Sequence, residues 1–179
     1  PAASSAARAW QRLRGKPAIQ TAHLDAATLS MLKLNRCAAH AAQVAGARGA
    51  TDITGFGLLG HGAEMALATG REAAAGFRID AGRVPALPGA FDYIEAGYLT
   101  RGSERNPASF GRAVQFDPGV TAAQQTLLWE VETSGGLLIA VPPTGLEAFH
   151  AACTEHDQPA WEIGEVVAGI EGIEVIDNC

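Results

Sequence analysis

The sequence predicts an α+β fold in which a mixed β-sheet is covered by helices. Segments with helical spacing alternate irregularly with short apolar runs, and this irregularity disfavours a doubly wound parallel sheet. Of the 179 residues 47% are hydrophobic and 6% are aromatic, so we expect a core built mainly from Ala, Leu, Val and Ile. These proportions are typical of one globular domain.

Residues 1–24 are expected to be a lead-in segment from a missing N-terminal domain, and residues 25–179 to form the domain itself. The lead-in has small residues, then basic ones, then a Gly-Lys-Pro break at 15–17. The net charge of −6 disfavours nucleic acid as a partner, because no cluster of Lys and Arg offsets it. No window approaches about 18 continuous apolar residues, so we expect no membrane partner and a cytoplasmic location.

The first periodic segment predicts one amphipathic helix that begins at Asp25 as its N-cap and ends before Gly46. Its apolar positions recur at helical spacing: Leu29, Leu32, Cys37, Ala41 and Val44. This register predicts that Cys37 is a small buried hydrophobe rather than a nucleophile. The three cysteines, Cys37, Cys153 and Cys179, form no C-x-x-C pair and show no histidine pattern of the zinc type, so neither a disulfide framework nor a zinc site is expected.

The rest of the pattern predicts shorter elements. They are, in order, a very short strand or extended connector at 50–53, a helix at 56–68 capped by Gly70, a strand at 75–79, a helix at 90–96, a long loop at 97–119 with a brief strand at 113–116, a helix after Thr121, a buried strand at 137–141, a helix at 145–156, and strands at 161–167 and 173–176 that could form a hairpin.

The stretch A-T-D-I-T-G-F-G-L-L-G-H at 50–61 places one carboxylate in a glycine-rich turn between a strand and a helix. The simpler interpretation is a helix N-cap by Asp52 or Thr54. The alternative is a magnesium-phosphate site, in which Asp52 holds the cation and the first N–H groups of the helix hold the anion. A helix cap does not explain why the turn has three glycines, Gly55, Gly57 and Gly60. Close approach of another surface would explain them.

Other polar groups have two interpretations each. His61 is interpreted as a packed or capped histidine rather than a ligand or base, and Glu64 as a solvated or locally paired charge. T-S-G-G at 133–136 predicts either a turn with a G1-type bulge or a backbone nest for an anion. Arg105 and Asn106 are either donors to phosphate or carboxylate or simply solvated groups.

Together these segments resemble the C-terminal domain of the selenophosphate synthetases, or selenide, water dikinases, within the wider family of aminoimidazole ribonucleotide synthetase. The most specific motif is T-D-I-T-G-F-G-L-L-G-H at 51–61. Further motifs follow in the right order: L-N-R at 34–36, P-A-L-P-G-A at 85–90, G-S-E-R-N at 102–106, T-S-G-G-L-L-I-A-V at 133–141 and I-G-E-V at 163–166. The resemblance covers nearly the whole chain from about Leu29.

The resemblance implies a reaction that makes selenophosphate, AMP and phosphate from selenide, ATP and water, with Mg²⁺ as the cofactor. Asp52 is then the metal ligand, and Thr54, Gly55 and Gly57 lie near the nucleotide phosphates. No catalytic residue is assigned to this chain, because the catalytic Cys and Lys loop belongs to the N-terminal ATP-binding domain of the same protein. That domain also forms the homodimer of the intact enzyme, so this chain alone is expected to be inactive.

Two segments depart from the family pattern. Glu130-Val131-Glu132 stands where D-P-Q is more usual, and Thr100-Arg101-Gly102-Ser103 stands where P-G-G-T is more usual. Detailed roles for both segments are therefore left open. A non-catalytic paralogue, or a small-anion-binding or interaction module of the same fold, is the alternative function.

Overall fold

The structure is a computed structural model that describes residues 19–68 and 75–178. The α+β prediction is confirmed, with seven α-helices and six β-strands in these residues. The elements are α1 Thr21–Leu32, α2 Arg36–Val44, β1 Gly49–Asp52, α3 Gly57–Leu67, β2 Ala75–Asp80, α4 Ala90–Glu95, α5 Gly102–Phe110, β3 Val114–Phe116, α6 Ala122–Trp129, β4 Leu137–Ala140, α7 Leu146–Glu155, β5 Gly164–Ala168 and β6 Ile173–Ile176.

The strands form a four-stranded sheet, in the order β3-β6-β2-β5, and a two-stranded sheet of β1 and β4. In the larger sheet β2 is antiparallel to β5 and parallel to β6, so the predicted mixed sheet is confirmed. The possible hairpin of the last two strands is wrong, because β2 lies between β5 and β6. Their connection turns at Gly169 and Gly172, which have φ angles of 82° and 91°.

One arginine joins three strands of the larger sheet. Arg78 of β2 pairs in register with Glu165 of β5 and with Glu174 of β6. Its Nη1 donates to Glu165 Oε1 at 3.1 Å and its Nη2 to Glu174 Oε2 at 3.1 Å. Hydrogen bonds to Glu174 and then to Glu165 raise the pKa of the guanidinium. Cross-strand pairs of opposite charge support the strand register, even where solvent screens them.

The main core lies between the larger sheet and helices α3 and α6. Its largest buried side chains come from these elements: Leu59 of α3, Leu128 and Trp129 of α6, and Ile173 and Val175 of β6. The strand predicted at 137–141 is present as β4, but it is only half-buried along its length, so the prediction that it is buried is wrong. The reason is that β4 pairs only with β1 in the smaller sheet.

The single helix predicted from Asp25 to Val44 is two helices. The first begins at Thr21 rather than at Asp25, and the chain breaks between Leu32 and Arg36. Tertiary hydrogen bonds hold this break, because Asn35 Nδ2 donates to Gly135 O at 3.0 Å and Ser134 Oγ donates to Met31 O at 3.0 Å. The predicted boundary between the lead-in and the domain falls within α1 and stays a prediction.

The predicted apolar stripe of this segment is mostly exposed. Leu29 and Leu32 are 69% and 71% exposed, Val44 is 51% exposed, and α1 has no buried residue. Cys37 is half-buried rather than buried, which corrects the sequence prediction. Only Ala41 of the five periodic positions is fully buried. Helical spacing therefore identified the helices but not the side that faces the core.

Helix α5 lies inside the segment that was predicted as a loop, although the brief strand there is confirmed as β3. The predicted Gly70 cap lies outside the described residues. In the ranges that the structure covers, the longest helix has 12 residues, and none is long and apolar enough to cross a membrane.

We predict that Val175→Ala destabilises the fold by about 2 kcal/mol, since Val175 is fully buried in the core between β6 and the helices. Val166→Ala is the matched control, because that valine lies on β5 and is 55% exposed. Its effect should stay within about 0.5 kcal/mol. Chemical denaturation of both variants measures the difference, and equal losses would contradict the position of the core.

Candidate functional site

The candidate site is the turn between β1 and α3. Strand β1 ends at Asp52, which is exposed, and α3 begins at Gly57. In the described part of the chain, the Asp52 carboxylate takes part in no hydrogen bond or ion pair. An exposed charge at a strand end is open to an external ligand. This turn therefore carries one free anionic group beside a helix start.

The predicted helix N-cap by Asp52 or Thr54 is wrong. The N-cap residue of α3 is Phe56, and no side chain caps the helix. His61 instead holds the turn from one helical turn further along. Its Nε2 lies 3.0 Å from Thr54 Oγ1 and 3.4 Å from the Phe56 amide nitrogen. The expectation that His61 is a packed or capped histidine is confirmed, because its ring packs beside Phe56 and its Nε2 takes part in these hydrogen bonds.

The hydrogen bonds of His61 assign its tautomer. A backbone N–H can only donate, so the bond from Phe56 makes Nε2 an acceptor and leaves the ring proton on Nδ1 in the neutral form. Nδ1 faces Glu64 Oε2 at 3.2 Å, one turn along the same helix. The side chain of His61 is 11% exposed. Glu64 is thus a locally paired charge, as one of the two interpretations expected.

Each of the three positions in the turn is glycine for a different structural reason. Gly57 has a φ of +68°, and a Cβ there would lie 2.6 Å from the carbonyl oxygen of Glu130. At Gly60, a Cβ would lie 2.5 Å from Phe56 Cβ and 3.2 Å from the Phe110 ring. Gly55 is exposed and faces open space. Packing within the chain therefore explains Gly57 and Gly60, and only Gly55 is open to another surface.

The segment 130–136 runs beside the turn and is hydrogen-bonded to it. Ile53 N donates to Gly136 O at 3.0 Å, and Glu132 N donates to Thr54 O at 3.0 Å. Neither Gly135 nor Gly136 has a positive φ, so the predicted G1-type bulge is wrong. Gly135 is required here because a Cβ would meet the backbone of Ile53. The anion-nest interpretation stays a prediction.

Asn106 connects the turn to two other elements. It is 5% exposed, and its Nδ2 donates to Gly55 O at 3.2 Å and to Trp129 O at 3.0 Å. Both amide protons are thereby used, so Asn106 is a structural brace and not a donor to phosphate. Arg105 is exposed, as a solvated charge would be.

Sequence reasoning missed this role of Asn106 because it treated residues 102–106 as a loop. A helical interpretation would have placed Gly102, Asn106 and Phe110 on one face, since they are four residues apart. The two segments that depart from the family pattern also touch each other here. The Thr100 amide donates to Glu130 Oε1 at 3.2 Å.

The electrostatics of the site are acidic. Partial burial raises the pKa of the Glu132 carboxyl, and the charge of Glu130 raises it further, although Glu132 still reaches solvent. In the described ranges no group of three or more His, Cys, Asp and Glu side chains is arranged to hold a metal ion. The described residues therefore offer no complete coordination shell for a divalent cation, and Asp52 as a metal ligand stays a prediction.

Comparison with known proteins identifies the family. A family model described as "AIR synthase related protein, C-terminal domain" matches residues 3–176. The chain belongs to this family. It is 36% identical over 162 residues to the "Selenide, water dikinase" of Escherichia coli (strain K12) and to that of Shigella boydii serotype 4 (strain Sb227). The "Selenide, water dikinase" of Shigella flexneri is 35% identical over the same length.

These alignments confirm that the AIR synthase related domain described here resembles that of selenophosphate synthetases. Each covers 90% of this chain but 45% of the relative. The chain thus spans about half the length of the curated relatives it matches. The relatives' activity concerns whole proteins, of which this family domain is a part.

We predict that Gly57→Ala destabilises the fold by more than about 1 kcal/mol, because alanine resists a φ of +68° and its Cβ would meet the Glu130 carbonyl. Gly55→Ala is the control, since its Cβ would meet nothing within 4 Å. Thermal unfolding of the two variants distinguishes the positions. An unchanged melting temperature for Gly57→Ala would contradict the geometry of the turn.

We predict that Glu132→Gln stabilises the protein slightly at neutral pH, by less than about 1 kcal/mol because solvent screens the group. The folded-state pKa is raised, so the wild type loses stability as pH rises from the unfolded pKa through the folded pKa. Glutamine cannot ionise and avoids this loss. Denaturation across pH should show the advantage shrinking to zero in acid, and an advantage that grew in acid would contradict the pKa direction.

Proposed function

We propose that this chain is the C-terminal domain of a selenide, water dikinase, which makes selenophosphate, AMP and phosphate from selenide, ATP and water. In this proposal Asp52 supplies one ligand to the Mg²⁺ that accompanies ATP. The family membership and the 36% identity to selenide, water dikinases support the general assignment. The observation that carries the role of this chain is the exposed Asp52 carboxylate, which has no partner in the described residues.

A single carboxylate suits Mg²⁺ better than most cations. Mg²⁺ keeps several water ligands and is commonly held by one or two carboxylates together with substrate phosphates, rather than by a complete protein cage. When bound, the ion neutralises charge on the polyphosphate during phosphoryl transfer. The remaining protein ligands come, in this proposal, from the N-terminal ATP-binding domain. Asp52 then joins the site when the two domains meet.

The other residues of the turn keep Asp52 and the backbone in position. Gly57 donates its N–H to Thr54 O at 3.1 Å, and the Thr54 hydroxyl is bound by His61. These groups are engaged within the chain, so their part in the proposal is to shape the turn beside the phosphates. Gly55 has an exposed backbone and no side chain, which leaves room for the nucleotide.

The partners of the proposal are ATP, selenide and the N-terminal domain of the same protein, within a homodimer in the cytoplasm. Phosphoryl transfer depends on positioning and charge neutralisation more than on covalent chemistry. A domain that adds one ligand and one shaped turn can therefore be essential without containing a nucleophile. By itself it should not turn over ATP.

We predict that Asp52→Asn, in the full-length protein that contains this chain, lowers kcat/KM for ATP by roughly tenfold or more and raises the Mg²⁺ concentration needed for activity. Asn keeps the shape but removes the charge. Asp25→Asn is the matched control, because Asp25 is also exposed and lies on α1. Selenide-dependent AMP formation is measured for both variants across a Mg²⁺ series.

Two further measurements complete this experiment: the stability of the variants and the activity of the isolated chain. The melting temperature should not change in either variant, since both carboxylates are exposed. Equal kinetics for Asp52→Asn and the wild type would remove Asp52 from the metal site. Sustained AMP formation by the isolated chain would contradict the need for an N-terminal domain.

A further inference from the structure

Helix α1 presents an apolar surface to solvent. Leu24, Leu29 and Leu32 are 57%, 69% and 71% exposed, and we call these three residues the α1 leucine surface. Met31 and Leu34 adjoin it and are 45% and 77% exposed. Single exposed apolar residues are normal on a protein surface, whereas several on one helix mark a contact with a partner.

The opposite side of α1 faces the rest of the domain. Its half-buried residues are His23, Ala26 and Ala27, which are three or four positions apart. The small residues therefore face inward and the leucines outward, which is the reverse of a helix that buries its apolar side in its own domain. Asp25 is the one carboxylate of α1 and is exposed. An apolar contact does not depend on that charge, so Asp25→Asn remains a control for Asp52.

Hydrogen bonds at both ends hold α1 in this orientation. At its start, His23 Nδ1 lies 3.0 Å from the Tyr93 hydroxyl oxygen. Gly89 permits this approach, because a Cβ there would meet the His23 ring. At its end, Ser134 Oγ donates to Met31 O at 3.0 Å. Rotation of the leucines towards the core would break these contacts, so the surface is a fixed feature of the domain.

The end of α1 lies close to the turn that bears Asp52. Met31 O accepts its hydrogen bond from Ser134. Two residues further along, Gly136 O accepts from the amide of Ile53, the neighbour of Asp52, at 3.0 Å. Two residues span at most about 7 Å of chain. A second body that contacts Asp52 is therefore within reach of α1 as well.

The length of the relatives indicates what covers this surface. The matching family model describes a C-terminal domain, and this chain spans about half the length of the curated relatives. A domain that precedes this one in the same polypeptide joins it ahead of α1, which is the first helix of the described residues. Covalent linkage gives such a domain an effective concentration on the order of millimolar, which favours it over a free partner.

We propose that the α1 leucine surface docks on the N-terminal ATP-binding domain of the same polypeptide. The identity of this partner rests on the proposed function. Docking removes the leucines from water, and each buried leucine favours the docked state by roughly tenfold or more. It also keeps the N-terminal domain beside Asp52. The surface thus supplies affinity between the domains, whereas Asp52 supplies a charge to the site.

The test is hydroxyl-radical labelling of side chains, measured by mass spectrometry, on the isolated chain and on the full-length protein without ATP or selenide. Leu67 is the internal reference, because it is 64% exposed at the end of α3 away from the turn. In the isolated chain the α1 leucine surface should be labelled about as fast as Leu67. In the full-length protein its labelling should fall by roughly tenfold, while that of Leu67 stays the same.

The variant combines Leu29→Gln with Leu32→Gln, because glutamine keeps the helix propensity of leucine and removes its apolar side chain. In the full-length protein it should lower the docking equilibrium roughly a hundredfold, so that Leu24 is labelled as in the isolated chain. Leu67→Gln is the matched control and should leave Leu24 protected. Neither variant should change the melting temperature of the isolated chain, since all three leucines are exposed.

Three results would overturn the docking proposal. They are equal labelling of the surface in both proteins, protection of Leu24 that survives the double variant, and slow labelling already in the isolated chain. The last result would mean that residues 1–18 or a second copy covers the surface, and light scattering would distinguish these two.

The labelling experiment separates this proposal from the proposed function, because it involves no turnover. Protection of the surface in a full-length protein that forms no AMP from ATP and selenide would reject the proposed function and retain the docking surface. Unprotected leucines together with impaired activity of Asp52→Asn would reject the docking surface and retain the metal ligand.

Discussion

The buried amide of Asn106 is the interaction on which the candidate site depends. Asn106 is the one buried polar residue in the described ranges, and its two donated hydrogen bonds end on the carbonyls of Gly55 and Trp129. A buried carbonyl left without a donor costs about 1–3 kcal/mol. Movement of α5 away from the turn would break both bonds and leave the buried carbonyl of Trp129 without its donor, so the three segments stay together.

The other polar groups of the turn are also satisfied by hydrogen bonds within the chain. Thr54, Phe56 and Gly57 bond within the chain, and His61 receives two of these bonds while its Nδ1 faces Glu64. The backbone of segment 130–136 satisfies further groups of the turn. What remains open is the Asp52 carboxylate and the bare backbone at Gly55. Within the described residues the turn therefore presents one unpaired carboxylate on a backbone that is held by hydrogen bonds within the chain.

One structural element links the turn to the helix pair α2 and α7, which pack together around Ala41, Ala152 and Cys153. Asn35 directly precedes α2 and donates to Gly135, whose neighbour Gly136 accepts from Ile53 beside the candidate site. The break between α1 and α2 thus has a tertiary cause. It positions the Cys37 end of α2 and at the same time braces the segment 133–136.

The sequence alone determined the α+β class, most element types and the turn that bears Asp52. These features depend on local spacing, glycine position and apolar runs, which are written in neighbouring residues. It also provided the family resemblance, because the motif at 51–61 is continuous. Local patterns could not show that the segment predicted as a loop contains helix α5. They also could not show that β2 lies between β5 and β6, or which side of α1 faces solvent.

Tertiary structure decided those points because each depends on partners distant in the chain. Asn106 lies on α5 and bonds to Gly55, which is 51 positions away in the chain, and to Trp129, which is 23 positions away. Gly57 is required because a Cβ there would meet the carbonyl oxygen of Glu130. Ala41 and Cys153 share one buried cluster only when α2 packs on α7. A sequence records residue types and spacing, whereas the satisfaction of buried polar groups and the meeting of side chains are properties of the folded chain.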